Sequence, residues 1–528
     1  MPRGIKLIRI NRNSQYFKGT PPKYGCFIPW GRFLHPKFHP PIYPEKQTVC
    51  RPSLGKLAQY AAGHNISTGP GYAYVRPTMA NIKKNLDIMS TPLNTDYQRS
   101  PEWAKAIEIV YARYRPYMTG PEMGPQSMLE ALNSLERRRS TGFPDRPFGF
   151  AEKGDYVDLY ANPDTRSQFE EWFHHYTTAE GNHIPTSIHK MSPKIELRPI
   201  ADIENDKIRL FSPSHVALII AHKIIFGRQS KAFGCYEHSA YRFNVFNNGI
   251  DRMARRLAEL TVRSEDAHKW DKLFDAMCAV YDIRIRWLRD SCKLTPQQEK
   301  LVRFIVYNYC RVTILCPNYD IYQVDNHVNP SGKDDTTIDN IIARDLKREY
   351  LLLLADCHYS PDPKDMSKMC GDDLLDDITR TPKLYQDTDW YKKEAAKINV
   401  IVKTAEVTKG TTGWEFLGFV CQKAWYDPTL HAPRFKEERL RAGFFADVQC
   451  SDSDMALRCY SLIALAFAHS EQLYSELCRV YFTWVVKRAP HADHDALVSL
   501  VSRAISRPNL MTLWHGLESG IPDADVCK

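Results

Sequence analysis

Apolar positions recur every three to four residues over long stretches of this chain, and every second residue over shorter ones. Residues 100–137 carry the longer period, as does Ser212–Gly227, which is dense in Ile, Leu and Val. Ile338–Leu354 sets Ile338, Ile342, Leu346 and Tyr350 four apart, which places them along one side of a helix. Thr261–Asp266 alternates as a strand does, and Ser140–Phe150 carries the Gly and Pro signals of a loop. Beyond residue 453 Leu, Tyr and Trp keep helical spacing, with Pro508 as a predicted break. Residues 20–45 differ: Pro21, Pro22, Pro29, Pro36, Pro40, Pro41 and Pro44 stand among aromatics and predict an extended arm. The fold class predicted is α+β, with a mixed N-terminal region, an α+β centre and a helical C-terminal region.

Composition narrows the class. A chain of 528 residues that is 43% apolar is neither disordered nor fibrous and has material for a large core. At roughly 150 residues per domain, about three structural units are expected. The charge of +9 is uneven: Arg3, Lys6, Arg9, Arg12, Lys18, Lys23, Arg32, Lys37 and Lys46 face only Glu45 in residues 1–50, a net of +8. That asymmetry points to a polyanion (nucleic acid or an anionic membrane) or to a solvated tail. The 14 cysteines contain no CxxC pair, and several, such as Cys278, Cys310, Cys316 and Cys459, stand among apolar residues, as in a reduced cytosolic protein. His491-Ala-Asp-His494-Asp495 has metal donors, but after Pro490 it reads as a helix start. Met1-Pro-Arg-Gly-Ile-Lys6 lacks a signal-peptide core, and the longest apolar run, Cys459–Ser470, falls short of the roughly 20 residues of a membrane span. No transmembrane segment is expected.

Three blocks in the centre carry chemistry: Asp266-Ala-His-Lys-Trp-Asp271, Ser331-Gly-Lys-Asp-Asp-Thr336-Thr-Ile-Asp-Asn340, and Cys370-Gly371-Asp372-Asp373. Gly followed by two acids between apolar runs is a hairpin signal. Carboxylates held side by side at such a tip repel each other and favour a divalent cation between them. Asp266, at the end of its strand, offers a further oxygen, and an all-oxygen set suits Mg²⁺. Singly, each block also reads as structure: a surface turn, helix N-caps, or a capped helix start.

Together, in this order and spacing, the blocks resemble palm motifs A, B and C of RNA-dependent RNA polymerases from positive-strand RNA viruses. Asp266 and Asp271 match DxxxxD, and Ser331, Gly332, Thr336 and Asn340 match SGxxxTxxxN. Lys194-Ile-Glu-Leu-Arg198 with Lys207-Ile-Arg209 looks like motif F, Ser140-Thr-Gly142-Phe-Pro144 like motif G, and Glu415-Phe416-Leu417-Gly418-Phe419 like the primer grip, motif E. The Asn329-Pro330-Ser331-Gly332 form of motif B is most similar to astrovirus- and picornavirus-related enzymes.

The resemblance implies a right hand of fingers, palm and thumb with a closed, encircled active site. Its expected boundaries are 1–135 for the basic arm and a fingers segment, 136–259 for fingers, 260–425 for the palm, and 426–528 for the thumb. It implies template-directed, two-metal transfer of nucleotides to an RNA 3′-end. Asp266, Asp372 and Asp373 are the expected ligands of two Mg²⁺ ions, with Mn²⁺ as a substitute. Asp271, Ser331, Gly332, Thr336 and Asn340 are expected to read the nucleotide's 2′-hydroxyl, while Arg198, Lys207 and Arg209 clamp its triphosphate. Ser140, Gly142, Pro144 and Lys194 would guide the template, and Phe416, Leu417 and Gly418 would hold the primer end. Lys403 and Lys409 both fall in the motif D interval, with Lys409 preferred as general acid. The implied partners are template RNA, the nascent duplex, NTPs and other viral replication proteins, with a protein primer if initiation is not primer-independent. The implied setting is the host cytoplasm, at membrane-associated replication complexes.

Some positions depart from the family pattern. Lys333, Asp334 and Asp335 fill motif B with charge, Asp334 or Asp335 either capping the next helix or altering how the nucleotide is read; Cys370 stands where Tyr is common; and Asp376 and Asp377 read as further helix caps. The alternatives are a reverse transcriptase, whose aromatic steric gate would occupy the place of Asp271, and a palm that binds RNA without turnover.

Overall fold

The computed structural model describes residues 28–32, 56–75, 77–142, 150–178, 184–205, 207–235, 238–317, 320–325, 328–446, 452–485 and 499–516. The Pro-rich arm apart from 28–32, the basic residues Arg3 to Arg12, Pro144, and His491 with His494 lie outside them.

The motif A strand, Thr261–Ala267, runs through the middle of a four-stranded antiparallel sheet. On one side it pairs with Asp373–Asp377, which the turn at Gly371 and Asp372 joins to Lys368–Cys370. On the other lies Val402–Lys409. The predicted Gly-Asp-Asp hairpin is present. The alternation seen in Thr261–Asp266 does not separate inside from outside, because Val262, Arg263, Ser264 and Glu265 are all buried. Val262 faces a core shared with Leu375, Trp414, Phe416 and Phe419. Arg263 and Glu265, on the opposite face, meet helices.

The main helix there is Thr336–Ala355, close to the predicted span and buried on all sides, Arg344, Asp345, Lys347, Arg348 and Glu349 included. Helix Pro101–Met118, started by Ser100 as N-cap and a proline in its first turn, packs along it. Residues 100–137 thus give two helices, the second being Met128–Asn133, rather than one. Helix Val216–Ala232 starts four residues later than predicted, with the His215 side chain at its N-terminus, because 212–214 form an extended connection.

A second sheet orders Ile28–Arg32, Asp320–Asp325, Arg311–Leu315 and Ile188–Lys190, the last pair parallel. At the C-terminal end, helices Glu437–Phe445, Asp452–His469, Glu471–Val480 and Arg507–His515 share one apolar core. Pro508 opens the last helix instead of breaking one, because the first turn needs no amide from it. That core also takes Leu57, Ala58 and Ala61 of helix Lys56–Gly63. The chain then passes Gly69, where a Cβ would lie 2.4 Å from the Glu438 carbonyl oxygen, and pairs Ala73 with Arg198. Residues 56–74 therefore tie the C-terminal helices to the motif F strand. No helix of the described residues is long and apolar enough to cross a membrane.

Candidate active site

Sheet register assembles the acids. Leu374 faces Glu265, so the next step along the antiparallel pair sets Asp373 opposite Asp266, with Asp372 in the turn beyond. Gly371 takes a φ of +67°, which lets the turn close. Burial and the charges of Asp372 and Asp266 push the Asp373 carboxyl up to about 7. Burial, with Asp271 and Asp266 beside it, raises Asp372 as well, against the pull of Arg209. Residues from motifs A, C and F therefore act on one another electrostatically. Among the described residues no ion pair reaches Asp372 or Asp373, whereas Lys403 lies 2.9 Å from Asp266.

The motif B residues form a second group, beside Asp271. Ser331 Oγ donates to Asp271 Oδ2 at 3.0 Å, and Thr336 Oγ1 donates to the carbonyls of Pro330 and Lys333 at 3.1 Å each. Asn340 accepts a 2.6 Å bond from Asn329, whose backbone amide also reaches the Asp271 carbonyl at 2.9 Å. Asn329 thus joins motif A to motif B. It stands two residues before the motif's serine but was not among the expected site residues, since its role depends on a tertiary contact. Gly332, at φ +104°, and Gly142, at φ +91°, lie against the connection 212–214. A Cβ would sit 3.3 Å from Pro213 N in one case and 2.8 Å from the Ser214 carbonyl in the other. Motifs B and G thus flank one extended segment, and Ser140 bridges to Glu152 beside it.

The basic ladder is charge-paired. Lys194 meets Glu196 at 3.1 Å, Arg198 meets Asp202 at 3.0 Å, Lys207 meets Asp202 at 3.4 Å, and Arg209 meets Glu196 at 3.7 Å. These partly exposed pairs are weak and exchangeable. Lys272, unforeseen, sits among them: burial lowers its pKa, and Arg209 and Arg198 add to the fall while Asp271 opposes it. A cavity of about 20 Å³ behind Asp271, Lys272 and Ser331 has room for roughly one water.

The primer-grip sequence forms a tight hairpin. Phe416 pairs with Phe419 across Leu417 and Gly418, both at positive φ, 52° and 75°. Glu415 N bonds Ser264 Oγ at 2.9 Å, which fixes this hairpin to the motif A strand. The same register separates the two lysines of motif D. Thr404 faces Asp266 while Lys409 faces Thr261 at the far end of the strand. Geometry favours Lys403 over Lys409.

Asp376 and Asp377 cap no helix. Asp376 is fully buried and accepts from Arg263 at 2.8 Å, Arg348 at 2.6 Å and Tyr385 at 2.8 Å. Asp377 bonds the amides of Met366 and Thr379 in adjoining turns. Asp335, at φ +58°, precedes the motif B helix without capping it and pairs with Arg284 at 3.1 Å. Asp334 lies 3.4 Å from both His222 and Lys223; burial opposes its ionisation, but those two groups hold it down to about 2. His222, Asp334 and Asp335 are the one group of three among the described residues whose potential metal-binding atoms lie within 4.8 Å of one another. Lys223 and Arg284 already neutralise it. Asp372 and Asp373, by contrast, have no basic partner in an ion pair among the described residues, and burial with neighbouring carboxylates raises both.

No curated protein matches the chain. The sequence model of the viral RNA-dependent RNA polymerase family matches residues 101–486, from helix Pro101–Met118 through the acids, the motif B loop and the primer-grip hairpin. That span covers most of the chain, and the protein belongs to the viral RNA-dependent RNA polymerases.

Proposed function

We propose that this viral RNA-directed RNA polymerase transfers nucleotides by a two-metal mechanism, with Asp266, Asp372 and Asp373 holding two Mg²⁺ ions for which Mn²⁺ can substitute. The carrying observation is the antiparallel register that sets Asp373 opposite Asp266, with Asp372 in the adjoining turn. When bound, the ions would activate the RNA 3′-hydroxyl and neutralise the departing pyrophosphate.

The chain's own residues bind and orient the reactants. An incoming triphosphate draws Arg198, Lys207 and Arg209 away from Glu196 and Asp202, since phosphate offers more charge than the carboxylates they hold. Asp271 with Ser331, and Asn340 with Asn329, present polar groups to the 2′-hydroxyl, and a deoxynucleotide leaves them unpaired. Lys403, paired with Asp266, releases a proton to pyrophosphate as the 3′-oxygen displaces it. Ser140, Gly142 and Lys194 guide the template; Phe416, Leu417 and Gly418 support the primer end. The link that residues 56–74 make between the C-terminal helices and motif F supports an encircled right-hand fold. RNA template, nascent duplex and NTPs are the partners; a protein primer, other replication proteins and cytoplasmic replication sites on membranes accord with the family.

The test is primer extension on an RNA template with matched NTP and dNTP. The wild type is expected to favour NTP strongly, and Asn340→Ala to lose about 10-fold or more of that preference, on the order of 1.4 kcal/mol. Equal use of dNTP by the wild type would favour a reverse transcriptase.

A further inference from the structure

Helices Met277–Ser291 and Pro296–Cys310 form an antiparallel hairpin behind the motif B loop. Its open end carries two cysteines, Cys278 in the first turn of one helix and Cys310 at the last position of the other. Cys278 is exposed, Cys310 is partly so, and neither is in a disulfide. Both line a pocket of about 700 Å³ together with Tyr281, Ile285, Val306 and Arg311. Cys278, beside it at this end of the hairpin, and burial push the Cys310 thiol well above the usual thiol range. The exposed sulfur of Cys278 is then the one that meets an oxidant first.

This pair adjoins the nucleotide site. Met277 and Tyr309, the chain neighbours of the two cysteines, both touch Lys333 of motif B. Its Nζ lies 3.4 Å from Met277 Sδ and 4.4 Å from the centre of the Tyr309 ring. Lys333 is buried and paired with Asp339. Its loop carries Ser331, which bonds Asp271.

We propose that Cys278 and Cys310 form a reversible thiol–disulfide site, closed by a peroxide, that acts on motif B through Lys333. The Cys278 thiolate attacks one peroxide oxygen; the O–O bond breaks, leaving a sulfenic acid and a hydroxide. The Cys310 sulfur then attacks that sulfenic sulfur, its proton passes to the hydroxide formed first, and the displaced hydroxyl leaves as the second water after taking up the proton that ionised Cys278. Two thiols and one peroxide give one disulfide and two waters, two electrons passing from sulfur to peroxide. Bridging draws the helix ends together and shifts Met277 and Tyr309 against Lys333.

The full chain treated with hydrogen peroxide, alkylated, digested and mapped by mass spectrometry is expected to yield one disulfide-linked species joining the Cys278 and Cys310 peptides. Dithiothreitol should return two separately alkylated peptides. Separate peptides after a treatment that oxidises exposed Cys357 would overturn the proposal, whatever the polymerase does. RNA synthesis at low NTP should fall several-fold in the bridged protein, recover on reduction, and resist peroxide in Cys278→Ser and Cys310→Ser. Full synthesis by the bridged wild type would overturn the link to motif B.

Discussion

Asp373 and Asp376 belong to one strand, yet their carboxyls live under opposite conditions. Asp376 sits on the closed side of the palm sheet, where Arg263, Arg348 and Tyr385 surround it and, against the cost of burial, keep it ionised. Asp373 sits at the tip with Asp372 and Asp266 for neighbours, and its carboxyl rises to about 7. Arginine neutralises permanently, so the lower acids are structural. Among the described residues Asp372 and Asp373 have no such arginine pair, which suits the cation role proposed for them. Glu265 and Asp266 repeat the contrast on the motif A strand. Glu265 is buried between Arg263 and Arg344, while Asp266 is half exposed beside one lysine.

The comparison breaks most sharply at the tip. Asp372→Asn should lower RNA synthesis at least about 10³-fold, roughly 4 kcal/mol, in single-turnover assays, with the melting temperature unchanged or higher. Residual synthesis within tenfold of wild type would place the metal elsewhere. Asp376→Asn should do the reverse, losing about 3–5 kcal/mol in urea unfolding because Arg263 and Arg348 stay buried without their counter-charge. A variant of wild-type stability would show that the lower network is not a closed ionic unit.

Smaller effects sharpen the contrast. Lys403→Met is expected to slow nucleotide incorporation about 10²-fold and Lys409→Met hardly at all, since only Lys403 reaches the tip. Equal losses would mean that the strand shifts when RNA binds. The smallest effect is on stability against pH. Asp373 binds its proton more tightly folded than unfolded, so the metal-free protein gains stability at low pH and loses it as pH rises from about 4 through about 7. In paired denaturant titrations that slope should be weaker in Asp373→Asn and should disappear from the wild type when Mg²⁺ is added.

Much of the candidate site was readable because the blocks that carry the resemblance are short local patterns. Asp266, Asp271, Ser331, Gly332, Thr336, Asn340 and Gly371-Asp372-Asp373 each belong to a block whose internal spacing is set by one turn, one strand end or one helix start. The long helix at 338–354 was readable for a similar reason, its four-residue repeat. Contacts between blocks were not. Asn329 bonds Asn340 across a loop, Asp376 finds Arg263 across a register, and Asp335 finds Arg284 on another helix. At 376, 377 and 335 an acid beside a turn or helix resembled a cap, because charge alone does not say which neighbour neutralises it.

By itself the sequence determined the α+β class, the Gly-Asp-Asp hairpin and the family. The class and the hairpin follow from periodicity and turn chemistry, and the family from the resemblance of the motif blocks. The tertiary structure alone decided that Asp373 stands opposite Asp266, that Lys403 rather than Lys409 is near, and that residues 56–74 join the C-terminal helices to motif F. The physical reason is that register and helix packing bring together groups a hundred or more residues apart. A carboxylate becomes a metal ligand or a buried counter-ion according to what packing places beside it.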